Sequence, residues 1–463
     1  MPDTLGMFPF WKVKFDKEGK AADAAALESF VTEVKSSGIT DLFIFSHGWN
    51  NDESAATWLY QAFFGEVAKL MGNAAVAKKN AAAKIGVAGI VWPSILWPDD
   101  APTKGPAPEL PAPAGGGAVA MRSTPAVVPT KTTTIPEVKS ALDTAYGTDP
   151  RQQTLINELT AMLEEQPDDD DAINSFKTKL GELLASEGGG AIDASSPDDA
   201  EAGVTALSNK KWRELLRQVA DDAEERGANQ GGAVGLADNF KKLWNGAKDV
   251  MRVTTYWQMK KRAGVVGQNG LGKLVARLAA NDPALRVHLL GHSFGARVVS
   301  FSLAGLPETM TGPASPVKSL FLLQGAFSHH AFADHLPFDA NRSGALKGMA
   351  NRVDGPLLTT HSLRDYAVGK SYPAASMANG EDAAAFEDLS DRWGAMGHDG
   401  AQNVNAAKLP LSPVGFAYPF AKGSWINLDG NKIIIHGSLP SGAHSDIVHP
   451  ETAWASLAAA GIV

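Results

Sequence analysis

Residues 289–299 read LLGHSFGARVV. An apolar run ends at Gly291, Ser293 follows between two glycines, and an Ala/Val-rich segment continues from Gly295. The pattern G-x-S-x-G alone carries little weight in a chain with 46 glycines among 463 residues, so the flanks decide. RVHLL (286–290) has the continuous apolar character of a strand covered on both faces, and ARVVSFSLAGL (296–306) that of the helix after it. A serine held at a sharp strand-to-helix turn needs neighbours without bulk, which Gly291, Gly295 and Ala296 supply. The N–H of Phe294 would then point to where a carbonyl oxygen becomes negative.

Outward from this turn the same alternation recurs. DLFIFSHGW (41–49), AKIGVAGIVWP (83–93), VKSLFLLQGAF (317–327), GPLLTTHS (355–362) and NKIIIHGS (431–438) are further strand candidates. Helical patterns such as SAATWLYQAFFGEVAKLMG (54–72) and LGKLVARLAA (271–280) lie between most of them. Asp429-Gly430 in INLDGNKIII suggests a hairpin feeding the last strand. Apolar strands alternating with helices predict an α/β protein, with a mostly parallel central sheet and helices on both faces. In such sheets ligands bind beyond the carboxyl ends of the strands. There the chain places Ser46-His47-Gly48-Trp49, His292-Ser293, Gln324-Gly325, His361 to Asp365, and His436.

Residues 101–235 differ in kind, and divide the chain into a core of 1–100 and 236–463 and a mainly helical insertion. APTKGPAPELPAPAGGGAVA (101–120) reads as a linker or flap. Amphipathic patterns follow at 151–166, at 171–187 and at 208–227, the last with Trp212, Leu215, Leu216 and Val219 on one side. The insertion holds 22 of the 51 Asp/Glu and 12 of the 42 Lys/Arg, leaving 29 against 30 elsewhere. An acidic cap or lid over Ser293 is the expectation. The run Asp168 to Asp171 is expected to be a solvated helix start, where carboxylates suit the positive end of the helix dipole.

The composition narrows the function. Hydrophobic content of 44% with 20% charged residues describes a globular chain with a core, and no basic patch marks a nucleic-acid binder. No apolar run reaches bilayer length and the first residues lack the form of a signal peptide. The absence of cysteine excludes disulfides, thiolate metal sites and a Cys nucleophile, and fits a cytoplasmic location.

The core resembles the α/β-hydrolase family, whose nucleophile elbow is G-x-S-x-G and whose triad runs Ser, acid, His along the chain. The resemblance implies Ser293 as nucleophile and a base on the loop after the last strand. His444 lies among small residues in mid-loop and is the first candidate. His436 ends the expected strand, and His449 precedes Pro450 at the start of the final helix. The acid expected after GPLLTTHS is Asp365, with Asp354 and Asp391 as rivals and an ion pair to Arg364 or Lys370 as its plain structural role. His47-Gly48-Trp49 stands where the family carries its oxyanion loop, departing from the HGGG form. Gly48 and the N–H groups of Trp49 and Phe294 are therefore the expected oxyanion hole. His47, His292 and Gln324 are candidates for the pocket wall, and Trp49, Trp92 and Trp97 hint at an acyl or aromatic substrate. SHHAFADH (328–335) gathers His329, His330, Asp334 and His335, but no metal or cofactor is expected.

The resemblance implies a serine hydrolase acting on a small-molecule or acyl ester. An amidase, peptidase or acyltransferase with the same triad, or a non-catalytic binding scaffold whose acidic insertion recruits a basic partner, stand as alternatives.

Overall fold

The computed structural model describes residues 2–94 except 50, 75 and 77; 134–186 except 148; eight residues between 209 and 220; 236–368; and 394–463 except 438–440. Nine strands form one sheet in the order β1-β2-β4-β3-β5-β6-β7-β9-β8. They are β1 (Asp3–Leu5), β2 (Phe8–Lys14), β3 (Asp41–Ser46), β4 (Ile85–Val91), β5 (Arg286–His292), β6 (Val317–Leu323), β7 (Leu357–His361), β8 (Ala407–Pro410) and β9 (Trp425–Asp429). Only β1 runs antiparallel to its neighbour.

Period-two alternation splits the strand side chains between two faces. Leu42 and Ile44 of β3 and Leu320 and Leu322 of β6 join one apolar cluster, with Phe30 and Val31 of α1 (Ala24–Ser36). Phe43 and Phe45 of β3, with Phe321 and Leu323 of β6, join the other. That second face is covered by α2 (Glu53–Gly72), through residues such as Tyr60 and Phe64, and by the last helix of the chain. Helices thus lie on both faces, as continuous apolar strands require.

The insertion is no detached module. Its helices α3 (Ile135–Tyr146), α4 (Pro150–Glu165) and α5 (Asp170–Ser186) contribute Leu142, Leu159 and Phe176 to the first cluster. The long α6 (Leu236–Val265) bridges them to the sheet, its Trp244 meeting Phe176 edge-on with ring centroids 5.6 Å apart. Arg262 of α6 is 3% exposed and donates to the carbonyls of Pro93, 2.9 Å away, and Ala145, tying the end of β4 to α3. Asp169 caps Ala172 N–H and Asp170 pairs with Arg213, so the acidic run is a helix start. The linker at 101–120 and Leu215 and Val219 lie outside the described residues, as does much of the expected lid.

From α6 the chain passes through a π-helical turn (Val266–Leu271) into α7 (Gly272–Asn281), then through β5 into α8 (Phe294–Ala304). Two expectations at the far end of the sheet are corrected. The last long strand is WINLD (425–429), not NKIIIHGS, and there is no hairpin at Asp429-Gly430. After β9 the chain turns: Ile433 and Ile434 N–H return to Gly430 C=O, and the Asp446 carboxylate takes the N–H groups of Ile435 and His436. These bonds satisfy the amides that a strand ladder would have used. The final helix, α9 (Pro450–Ala459), has His449 as its N-cap.

The sheet order also locates a crevice. From β3 the chain moves outward to β4, then crosses back to place β5 on the other side of β3. The loops leaving β3 and β5 diverge there, which is where open parallel sheets bind ligands.

Candidate active site

Ser293 sits at that divergence with φ 57° and ψ −124°, in a region L-residues rarely occupy. The conformation survives because its surroundings leave no alternative. Ser293 N–H donates to Leu323 C=O at 3.1 Å, while Ser293 C=O accepts from Ala296 and Ala326 at 3.1 and 3.2 Å. A Cβ at Gly291 would overlap the Gly295 carbonyl, and one at Gly295 would overlap the Ser46 carbonyl. Both glycines are therefore steric necessities of a helix start wedged against the end of β3.

His444 reaches Ser293 from the loop before α9. Its Nε2 lies 2.8 Å from Ser293 Oγ, and its Nδ1 lies 2.8 Å from Asp365 Oδ2. With Nδ1–H donating to the carboxylate, Nε2 offers a lone pair to the serine hydroxyl. Asp365 is fully buried and also accepts from Gln324 Nε2 at 2.9 Å and from Val368 N–H at 3.3 Å. The two loops are strapped together by an antiparallel bridge between Asp365 and Gly442. Ala443 N–H donates to Arg364 C=O at 2.8 Å, and Ala367 N–H to Ser441 C=O at 3.2 Å. Gly442, at φ 59°, presses so close to Arg364 C=O that no side chain fits. Asp365 and His444 thus belong to one small backbone unit.

The loop after β3 meets the elbow directly. A Cβ on Gly48 would stand 2.6 Å from Ser293 Cβ, so its backbone lies against the serine. Trp49 and Phe294 each follow by one residue, and their rings lie 6.4 Å apart in the same corner. Asn51 Nδ2 fastens this loop to Trp49 C=O at 2.8 Å, and Ser94 Oγ donates to Asn51 C=O at 2.6 Å.

The three candidates for the pocket wall are all buried, His292 as the last residue of β5 and His47 and Gln324 one residue past the ends of β3 and β6. His47 is fully buried, stacked on Trp92 with centroids 5.5 Å apart and planes 9° apart. Its Nε2 accepts from Trp92 N–H at 3.3 Å, so Nδ1 carries the proton to Gly48 C=O at 2.8 Å. Burial lowers its pKa to about 4. His292, 5% exposed, donates Nε2–H to His444 C=O at 2.9 Å; burial and the nearby His444 lower its pKa to about 3. Both imidazoles are neutral at pH 7 and act as fixed hydrogen-bonding pegs. Gln324 is fully buried behind Asp365. Trp92 belongs to the core at 2% exposure, and Trp97 lies outside the described residues.

The rivals find other partners. His436 and His449 both pair with Asp446, at 3.2 and 3.0 Å. Asp354 is held by Lys318 and Lys422 at 2.8 and 3.0 Å, and Asp391 and Lys370 lie outside the described residues. In the histidine-rich stretch, His329 pairs with Asp399 at 3.1 Å and His330 accepts from Asn403 at 3.0 Å. Burial opposes ionisation of Asp399, but the bonds from His329 and His398 outweigh it and hold the carboxyl far below its usual range. Among the described residues no three His, Cys, Asp or Glu side chains converge as metal ligands would, and no helix is long and apolar enough to cross a membrane.

A second Ser–His–Asp chain shows what composition alone cannot define. Ser319, His288 and Asp41 are linked at 2.9 and 3.1 Å at the amino ends of β3, β5 and β6. All three are buried, and Ser319 lies within an ordinary strand. The Ser293 set differs in its strained turn and in the glycine backbone laid against the serine. Sequence reasoning missed Ser441, Gly442 and the short helical turn Met396–Asp399, whose roles arise from pairings across long stretches of chain. Comparison with protein-family models, curated proteins and solved structures gave no match.

Proposed function

We propose that this chain is a serine hydrolase of the α/β-hydrolase type that cleaves carboxylic esters through an acyl-enzyme on Ser293. The observation that carries the proposal is the continuous relay Ser293–His444–Asp365, both links 2.8 Å, ending on a serine held at φ 57°. His444 Nε2 takes the hydroxyl proton as Ser293 Oγ bonds to the substrate carbonyl carbon. The carbonyl electron pair moves to oxygen, where the amides of Trp49 and Phe294 stabilise the negative charge. Collapse of the adduct breaks the ester C–O bond, and His444 returns the proton to the leaving alkoxide. Water, deprotonated by His444, then releases the acid and restores the serine. Asp365 holds the imidazole in the required tautomer and stabilises its charged form.

The relay serves amides as well as esters, so leaving-group preference is measured directly. Turnover of a p-nitrophenyl ester by the full chain is expected to exceed that of the matching p-nitroanilide. Faster anilide cleavage would reassign the enzyme as an amidase or peptidase. A folded protein inert to both would favour the binding-scaffold alternative.

A further inference from the structure

Gln324 follows β6 in an unusual way. Its φ of 46° is left-handed, rare for a residue with a long side chain, and it is fully buried. Its N–H donates to Thr360 Oγ1 at 3.1 Å, which fixes the backbone at the start of the turn. The side-chain amide spends both hydrogens: one on Asp365 Oδ2 at 2.9 Å, the other on Gly397 C=O at 2.8 Å. A flipped amide would set Oε1 against two acceptors, so the network fixes its orientation. Gln324 Oε1 is buried without a hydrogen-bond partner, an arrangement tolerated because the other end of the amide is fully engaged. Asp365 Oδ2 is the same oxygen that receives His444 Nδ1–H.

We infer that Gln324 is a positioning residue for the proposed triad, an uncharged donor that fixes the Asp365 carboxylate so that Oδ2 faces the base. The inference rests on the hydrolase proposal. No other side-chain type meets the site as well. Asparagine is too short by a methylene, leucine or methionine leaves the carboxylate one donor short, and an ionised glutamate has no hydrogen to give. The Met396–Asp399 turn completes the arrangement, since Gly397 packs against Gln324 and Asp365 so closely that a Cβ would lie 3.1 Å from Asp365 Oδ2. The titratable groups around the amide are Asp365, His444, and on that turn His398 paired with Asp399.

Two variants of the full chain test this. Gln324→Met is expected to lower kcat for the p-nitrophenyl ester about tenfold to a hundredfold, the scale on which outer hydrogen-bond partners act at other sites, with KM little changed. Gln324→Glu gives the sharper result. While protonated, the new carboxyl can give its single hydrogen to Asp365, leaving only the Gly397 carbonyl without its donor; once ionised it repels the Asp365 carboxylate. The ratio of its kcat to the wild-type value at the same pH should therefore be highest at low pH and fall as pH rises. Unchanged kcat per folded molecule in Gln324→Met, or a wild-type pH profile in Gln324→Glu, would overturn the inference. Should the wild-type chain prove inactive, the hydrolase proposal fails. The downfield proton resonance of His444 Nδ1–H then still decides the positioning role: displaced in Gln324→Met if it holds, unmoved if it does not.

Discussion

Asp365→Asn should lower kcat/KM for an activated ester by about 10⁴-fold, with the folded structure retained, on the scale set by the same change in other Ser–His–Asp enzymes. The carboxamide can keep its oxygen in the place of Oδ2, accepting from both His444 Nδ1 and Gln324 Nε2, only by setting its NH₂ against Val368 N–H, a clash of two donors. Turned the other way, it donates to Nδ1 and moves the imidazole proton to Nε2. The base would then meet Ser293 Oγ with a hydrogen instead of a lone pair. A factor of 10⁴ is about 5.5 kcal/mol of transition-state stabilisation, whereas an aspartate that only supports the fold would leave kcat/KM per folded molecule little changed. The size of the loss therefore separates the two roles an aspartate here can have. His444→Ala should cost at least as much. Losses below about tenfold in both variants would remove the relay from the mechanism.

Gly295→Ala is expected to be severely damaging for the addition of a single methyl group. The added Cβ would fall within bonding range of the Ser46 carbonyl oxygen and close to that of His47. Both belong to the end of β3 and the loop after it, so no flexible side chain can yield. The strand end and the first turn of α8 would have to part, which dismantles the elbow together with the core beneath it. A loss of about 4 kcal/mol or more is expected, in the range reserved for such backbone conflicts. Gly65→Ala is the internal control. It lies within α2 with nothing near its missing Cβ, so alanine should stabilise the chain by about 0.5–1 kcal/mol. Urea midpoints of the two variants check the pair; similar values would contradict the wedged geometry of the elbow.

The contrast between these glycines bears on what a sequence can disclose. The Ser293 turn was legible because its requirements are local: two glycines, an apolar run before and a small-residue helix after, all within residues 286–306. His444 was legible for a weaker reason, standing mid-loop between two histidines better placed for other work. The structure gives both of those to Asp446, a carboxylate with no local signal to mark it. Gln324 was noticed at a strand end but assigned to a pocket wall, since only its contacts with Asp365 and Gly397, 41 and 73 residues away, show that it faces inward. The three consecutive isoleucines at 433–435 imitate a strand, yet WINLD a few residues earlier takes the place in the sheet. Two β-compatible runs flanking one Asp-Gly pair compete, and the choice depends on which packs against β7, a partner more than sixty residues upstream. No strand was assigned to FPFWKVK (8–14), where Pro9 argues against one; it pairs with β1 at one side and β4 at the other.

Covalent capture of the nucleophile tests the central claim most directly. The folded full chain is incubated with a fluorophosphonate probe, and the adduct is located by intact mass followed by peptide mapping. The account predicts one adduct per chain, carried by Ser293 and lost in Ser293→Ala. A folded chain that takes up no probe, or takes it up at another residue with Ser293 untouched, would contradict it.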